Sequence, residues 1–259
     1  MIKTGHDLTD QQIAARYESF RGELTMRPYF YPAVAEFVGH VEGDVLDAGC
    51  GPGLLLAELR KKSPQARLFG LEIAAANVEA TRRRLNGAVD ARMGSVLESL
   101  PFSQDQRFDL ISLTEVLEHV KQPVDALINL RQWLKPDGHM VITFPNAAAW
   151  LPFSWLAERM VKRARFFRGW LPHEHPLRTE QPIDTAFSRR EVLKWIEMAG
   201  LKVIAQTCHE VFPWALEMFY KFTPGFEPLP KWWRPLDSLC ARAGLFDLGY
   251  RVFVRCALR

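Results

Sequence analysis

Cysteine is scarce in this 259-residue chain. Its four copies, Cys50, Cys208, Cys240 and Cys256, form no CxxC pair and no metal-ligand spacing. That excludes a disulfide framework and a structural zinc site, and it suits a reducing cytoplasm. The start, Met1 to Asp7, has no apolar core of the kind a secretory leader needs, so a cytoplasmic protein is expected. Charge of one sign is also lacking: the formal net charge is +3, too small to indicate a nucleic-acid partner. No internal repeat or low-complexity segment occurs, which argues against a solenoid. Long hydrophobic runs are nearly absent as well. Met140 to Ala157 carries no charge, but Pro145 and Pro152 interrupt it and Asn146 and Ser154 are polar. Its first part reads as a strand, so a membrane span is not favoured.

What is present is a globular composition, 48% hydrophobic and 24% charged, enough for one core with an appendage. Residues 1–259 read as a single domain. N-terminal helices are expected within 1–42, one over 8–20 behind Asp7 as N-cap and one over 32–40, where Val34, Phe37 and Val38 share a face. From Val45 onward, short apolar runs alternate with amphipathic helices. Strands are predicted at Val45–Leu46, Leu68–Leu71, Ala91–Met93, Phe108–Leu113 and His139–Phe144. Helices are predicted at Pro52–Lys61, 75–85 and Pro123–Leu134. Such alternation specifies βαβ units and a mostly parallel sheet. Further on, Ser188 and Glu191 make a capping box whose helix stops at Gly200. Strands follow at Leu201–Ala205 and Tyr250–Ala257.

The first strand ends in Asp47-Ala48-Gly49-Cys50-Gly51-Pro52-Gly53. A glycine turn between strand and helix aims backbone N–H groups and a helix N-terminus at a ligand. Pro52 suits the first helical turn, where a missing N–H is harmless. Glu72 closes the next strand at the spacing from which a carboxylate reaches ribose hydroxyls. A dinucleotide fingerprint, GxGxxG, would need its third glycine where Leu54 stands. Asp47 also counts against a pyrophosphate, because like charges repel, whereas an amino group beside it is favourable.

With those residues in view, Val45–Gly53 resembles motif I of the class I S-adenosylmethionine-dependent methyltransferases. Phe108–Ile111 followed by Glu115–His119 resembles their fourth strand and its turn, and Leu134–His139 the turn into their fifth strand. The resemblance covers about residues 43–146, and more weakly 187–209. It implies an α/β, Rossmann-like, doubly wound fold with a mostly parallel seven-stranded sheet, helices on both faces and an inserted aromatic lid. It also implies S-adenosylmethionine as cofactor, with Asp47, Gly49, Cys50, Gly51 and Gly53 around its methionine part. Glu72 would lie on the ribose, Ile73 and the Gly94-Ser95-Val96 segment by the adenine, and Thr114 and Glu115 at the strand end nearby. Ser95 departs from the pattern, which usually has an acid there.

Glu115, Glu118 and His119 stand at i, i+3 and i+4, and on a helical turn they would share one face. Such a trio suits a divalent cation. The E-x-x-E-H spacing resembles the metal-assisted members of the superfamily, the ubiquinone-pathway O-methyltransferases and small-RNA 2′-O-methyltransferases, in which a cation orients acceptor hydroxyls. A further histidine normally precedes the next helix. Here that place reads Gln181-Pro182-Ile183-Asp184, with His173 and His175 nearby at a different spacing. A metal is therefore not favoured. The alternative is that Glu118 and His119 support the turn and only Glu115 nears the site. His119 and Glu115 are the candidate catalytic residues, His119 as a base that works near neutral pH.

Acceptor choice must reside outside the cofactor half. Two aromatic insertions are the candidates, a lid at 147–185 and a second insertion at 211–245 before the last strand. Trp150, Trp155, His173, His175 and Trp214 are the candidate substrate residues. Residues 158–171 form a basic amphipathic stripe with Arg159, Lys162, Arg163 and Arg168, which suits a solvated lid helix or contact with an anionic membrane surface. The sequence thus points to methyl transfer onto a small, apolar or lipid-linked molecule, at oxygen, carbon or nitrogen. An RNA or tRNA methyltransferase is the competing enzyme and a non-catalytic cofactor-binding scaffold the third reading. Oligomeric state is open.

Overall fold

The computed structural model describes residues 29–150, 184–185, 187–210 and 234–259, together with residues 3, 4, 8, 12, 13, 15 and 16. Its elements in chain order are β1 (Lys3–Thr4), α1 (Phe30–Val38), β2 (Asp44–Ala48), α2 (Leu54–Lys62), β3 (Arg67–Glu72), α3 (Ala75–Arg84), β4 (Asp90–Met93) and β5 (Phe108–Thr114). There follow α4 (Pro123–Arg131), β6 (Leu134–Pro145), β7 (Asp184–Thr185), α5 (Arg189–Met198), β8 (Leu201–His209), α6 (Arg234–Arg242) and β9 (Arg251–Leu258). Short 3-10 turns occupy Leu117–His119, Ala147–Trp150 and Phe246–Leu248.

Among the described residues one sheet has seven strands in the order β4-β3-β2-β5-β6-β9-β8. The neighbours from β4 to β6 run parallel, and β9 is antiparallel to both β6 and β8. Strand order reverses between β2 and β5, the switch point where ligands meet open α/β sheets. The expected Rossmann-like fold is therefore present.

Burial on both faces explains why these strands read as nearly unbroken apolar runs. β2 is buried at every position, and its neighbours Val45 and Leu46 point into opposite halves of the core. On one side Val45 packs with Phe30 and Val34 of α1 and Leu55, Leu56 and Leu59 of α2. On the other, Leu46 packs with Leu127 and Leu130 of α4 and Val192 and Ile196 of α5. Each such side chain contributes roughly 1.5–3 kcal/mol on burial. The capping box of α5 is formed: the Ser188 side chain accepts from the Glu191 backbone, and the Glu191 carboxylate accepts from the Ser188 N–H. Gly200, at φ +72°, lets the chain leave that helix in the left-handed region.

Several boundaries differ from the expected ones. α4 stops at Arg131, because Leu134 already pairs with Phe108 as the first residue of β6. A bulge between Phe108 and Leu110 absorbs the Lys135–Gly138 corner before regular pairing resumes at His139. β8 continues to His209 because β9 pairs along its whole length, with a shift at Val203/Ala205. The pairing of β1 with β7 joins residues 3–4 to residues 184–185, which no local pattern connects. Of the helix expected over 8–20, the described part is helical at residues 12, 13, 15 and 16. Among the described residues no helix is long and apolar enough to cross a membrane, and Met140 to Pro145 belong to β6. The stripe 158–171 and most of both insertions lie outside the described residues.

Candidate functional site

The loops leaving β2, β3, β4 and β5 stand side by side at the carboxyl edge of the sheet. After β2 the turn is fixed by its neighbour: the N–H groups of Gly49 and Cys50 both donate to the Leu71 carbonyl, at 2.8 and 3.0 Å. Gly51 and Gly53 adopt φ of +50° and +76°. A Cβ on Gly53 would lie 2.9 Å from the Thr81 methyl, so the turn and α3 touch there. A Cβ on Gly51 would meet nothing within 4 Å, so this glycine borders open space. Cys50 turns its thiol inward over Gly70 and towards Thr81 Oγ1 at 3.8 Å, leaving only its backbone at the loop surface.

Glu72 ties two loops together. One carboxylate oxygen accepts from the Gly51 N–H at 2.8 Å and the other from the Ala74 N–H at 3.1 Å. Burial pushes this carboxyl up, and those backbone donors pull it back part of the way. The Gly94 N–H donates to the Glu72 carbonyl at 3.0 Å, which docks the loop after β4 beside the loop after β3. There Ser95 Oγ accepts from Leu97 N–H at 3.2 Å, and the Val96 carbonyl accepts from Asn129 at 2.9 Å. Ile73 is half-buried next to Glu72.

Asp47 lies under the turn, 2% exposed, and pairs in register with Ser112 of β5. Ser112 Oγ donates to its carboxylate at 2.5 Å. Burial, with the nearby Glu72 charge adding to it and the Ser112 bond opposing it, pushes the Asp47 carboxyl up to about 7. A buried acid poised near neutrality, held by a single hydroxyl donor, favours a cationic ligand.

At the end of β5 the structure departs from the helical-turn expectation. Glu115 is left-handed, at φ +55°, and precedes the 3-10 turn that carries Glu118 and His119. Its N–H donates to the Thr143 carbonyl at 3.2 Å, and Thr143 Oγ1 donates to its carboxylate at 3.0 Å. Its other oxygen takes a hydrogen bond from Arg251 Nη1. Glu118 is buried, with His119 Nε2 3.9 Å from its Oε1. The three therefore do not share one helical turn: Glu115 is left-handed, and Glu118 and His119 belong to the separate 3-10 turn that follows. Among the described residues no three His, Cys, Asp or Glu side chains are grouped to hold a metal ion.

The comparison with known families decides what this edge belongs to: the family described as "Methyltransferase domain" matches residues 24–206. The chain belongs to that family. It is a class I methyltransferase domain, and S-adenosylmethionine is its methyl donor. A ubiquinone biosynthesis O-methyltransferase from Alkalilimnicola ehrlichii is 32% identical over 140 residues, 51% of this chain and 56% of the relative. Ribosomal RNA small subunit methyltransferase C from Actinobacillus succinogenes is 38% identical over 120 residues, 44% of this chain and 34% of the relative. The chain thus spans about a third to a half of the length of these curated relatives. Among solved structures, a complex between the Haloferax volcanii Trm112 methyltransferase activator and a methyltransferase gives a TM-score of 0.61 at 17% identity. That match covers 95% of this chain and 97% of the other. The O-methyltransferase NcsB1 from neocarzinostatin biosynthesis gives 0.56 at 16% identity, over 96% and 59%. These two likenesses show the fold.

Some residues at the edge of this methyltransferase had no sequence signal. Tyr31 of α1 is mostly buried, and its hydroxyl is pushed up to about 12, by burial first and then by Asp47 and Glu115. Tyr31 therefore stays protonated at neutral pH and lies within the field of both acids. Arg251 and Glu210 form an ion pair at 3.1 Å beside Glu115. Asn146, fully buried, accepts from Arg189 N–H at 3.0 Å and donates from its own backbone to the Tyr250 carbonyl at 2.6 Å. An alignment could have drawn attention to these positions; their local spacing could not. Of the candidate substrate residues, Trp150 ends a 3-10 turn, while its side chain and Trp155, His173, His175 and Trp214 lie outside the described residues. Of two surface hollows, of about 560 and 670 Å³, the first is lined in part by Leu97 to Leu100 and Phe102 of the loop after β4, and neither includes Asp47, Gly51, Glu72 or Glu115.

Proposed function

We propose that this methyltransferase holds S-adenosylmethionine across the carboxyl ends of β2 to β5 and methylates a small, apolar or lipid-linked acceptor at oxygen. The observation that carries the cofactor placement is the meeting of Asp47, Gly51 and Glu72 at the strand-order switch point. The residues fit the cofactor: Gly51 leaves open the space a side chain would fill, and Asp47 is a buried acid suited to a cation. Glu72, drawn on by the Gly51, Ala74 and Ile73 N–H groups and the Asn77 side chain, would exchange part of those donors for ribose hydroxyls. Ile73 and the Gly94–Val96 segment border the adenine, with Ser95 offering a hydroxyl where relatives have an acid. Bound there, S-adenosylmethionine supplies an electrophilic methyl group that the acceptor atom takes in line with the departing sulfur.

The chain's own part is to align the two reactants, exclude water and set the local charge. Glu115 has both carboxylate oxygens already engaged by Arg251 and Thr143. His119, partly exposed beside Glu118, is the candidate base for an acceptor that must lose a proton. The acceptor class is supported by the aromatic density of 147–185 and 211–245 and by the ubiquinone-pathway relative. Arg159, Lys162, Arg163 and Arg168 suit presentation of a lipid-linked acceptor at an anionic surface. The test is transfer of label from methyl-tritiated S-adenosylmethionine to prenylated phenols in detergent micelles and, in parallel, to ribosomal RNA. Label in the organic extract is expected. Label confined to RNA would overturn the acceptor reading and leave the cofactor placement intact.

A further inference from the structure

The acids at the end of β5 already have a cation. Arg251, the first residue of β9, has a buried side chain that reaches Glu115 and Glu210 at once. Nη1 donates to Glu115 Oε2, and Nε stands 3.1 Å from Glu210 Oε1 as an ion-pair contact rather than a hydrogen bond. The rings of Phe30 and Tyr250 lie 4.5 and 5.7 Å from the guanidinium carbon. Burial works against this charge, but Glu115, Glu210, Tyr250 and Glu118 together outweigh it, so the guanidinium remains protonated. One fixed charge thus acts on both carboxylates of the E-x-x-E-H pattern and on a third from the end of β8.

The backbone is committed to the same arrangement. Glu115 and Glu210 have φ of +55° and +61°, and Asn86 is the remaining non-glycine residue of this kind among the described residues. Side chains rarely adopt that region, and here both left-handed residues are acids that meet one guanidinium. A divalent ion brought to Glu115 would have to displace Arg251 or sit against it at like charge. Glu118 and His119 do not converge with Glu115 to offset that repulsion.

We propose that Arg251 is the resident cation of this site, and that it compensates Glu115 and Glu210 in place of a divalent metal. The proposal rests on the assignment of this edge as the methyl-transfer site. Its consequence is that the acceptor is not oriented by chelation of two neighbouring oxygens to a metal.

The test uses Mn²⁺ alone. The full chain is stripped of metal, Mn²⁺ is added, and the free ion is counted by its electron paramagnetic resonance signal in wild type and Glu115→Gln. Equal binding by the two is expected, because any Mn²⁺ held elsewhere on the chain is indifferent to Glu115. One more ion bound by wild type, with a dissociation constant below about 1 mM, would overturn the proposal. Thermal melts read the charge balance separately. Arg251→Met should lower Tm by roughly 10 °C, since it leaves buried carboxylates uncompensated. Arg251→Met/Glu115→Gln/Glu210→Gln should regain at least half of that loss. A triple variant no more stable than Arg251→Met would make Arg251 a packing residue and sink the idea. Failure of the cofactor placement would instead appear as absent S-adenosylmethionine binding, with the Mn²⁺ counts unaffected.

Discussion

Replacing Asp47 by asparagine should stabilise the ligand-free chain above neutral pH while weakening its hold on the cofactor. The Asp47 carboxyl is 2% exposed, and burial raises it from 3.8 to about 7 in the folded chain. A folded-state value above the unfolded one means the native state binds the extra proton between about pH 4 and pH 7. Stability from this group is therefore complete below pH 4 and lost as pH rises through 7. About three units at ~1.36 kcal/mol each bound the loss at ~4 kcal/mol. The amide side chain of Asp47→Asn carries no charge to desolvate and still accepts the Ser112 hydroxyl hydrogen, though its second amide hydrogen needs a new partner. In thermal melts the variant should match wild type near pH 4.5 and exceed it by up to roughly 10 °C at pH 8. S-adenosylmethionine affinity should fall about 10- to 100-fold at pH 8, the worth of one charge-assisted contact. A variant that melts below wild type at pH 8, or a difference that does not grow with pH, would refute the reasoning.

The glycines of the turn should separate binding from folding. Gly51→Ala adds a methyl group that meets no atom within 4 Å, at a left-handed φ of +50°. It should lower stability by only about 1 kcal/mol yet weaken S-adenosylmethionine binding at least tenfold by titration calorimetry. Gly53→Ala puts a methyl group 2.9 Å from Thr81 Cγ2. It should lower stability by about 2–3 kcal/mol in denaturant melts, and the two variants exchanging these phenotypes would contradict the assignment of Gly51 to the ligand side.

The parts of the structure legible in the sequence are those whose causes are local. β2 and β3 are short apolar runs because both faces of the sheet are covered, and the turn from Gly49 to Gly53 carries its own backbone requirement. Ser188 and Glu191 satisfy each other within one turn of helix, so their cap was visible from spacing alone. The E-x-x-E-H spacing misled for the converse reason. It assumes a helical backbone at Glu115, but that residue is left-handed, with its N–H held by Thr143 on the next strand and its carboxylate by Arg251, 136 residues away. Tyr31 was hidden in the same way: its place in α1 marks a helix face, but the acids whose charge acts on its hydroxyl, Asp47 and Glu115, come from other parts of the chain. Contacts across that range leave no periodic trace in a single sequence.

The central claim is that the loops at the ends of β2 to β5 bind S-adenosylmethionine, and titration calorimetry of wild type and Glu72→Gln tests it most directly. Glu72 accepts from Gly51 and Ala74 with its two oxygens, so an amide there puts a donor against a donor and removes the charge facing the ribose. Wild type should bind one S-adenosylmethionine per chain, with Glu72→Gln, confirmed as folded by circular dichroism, at least tenfold weaker. No binding by wild type, or equal binding by the variant, would contradict the account.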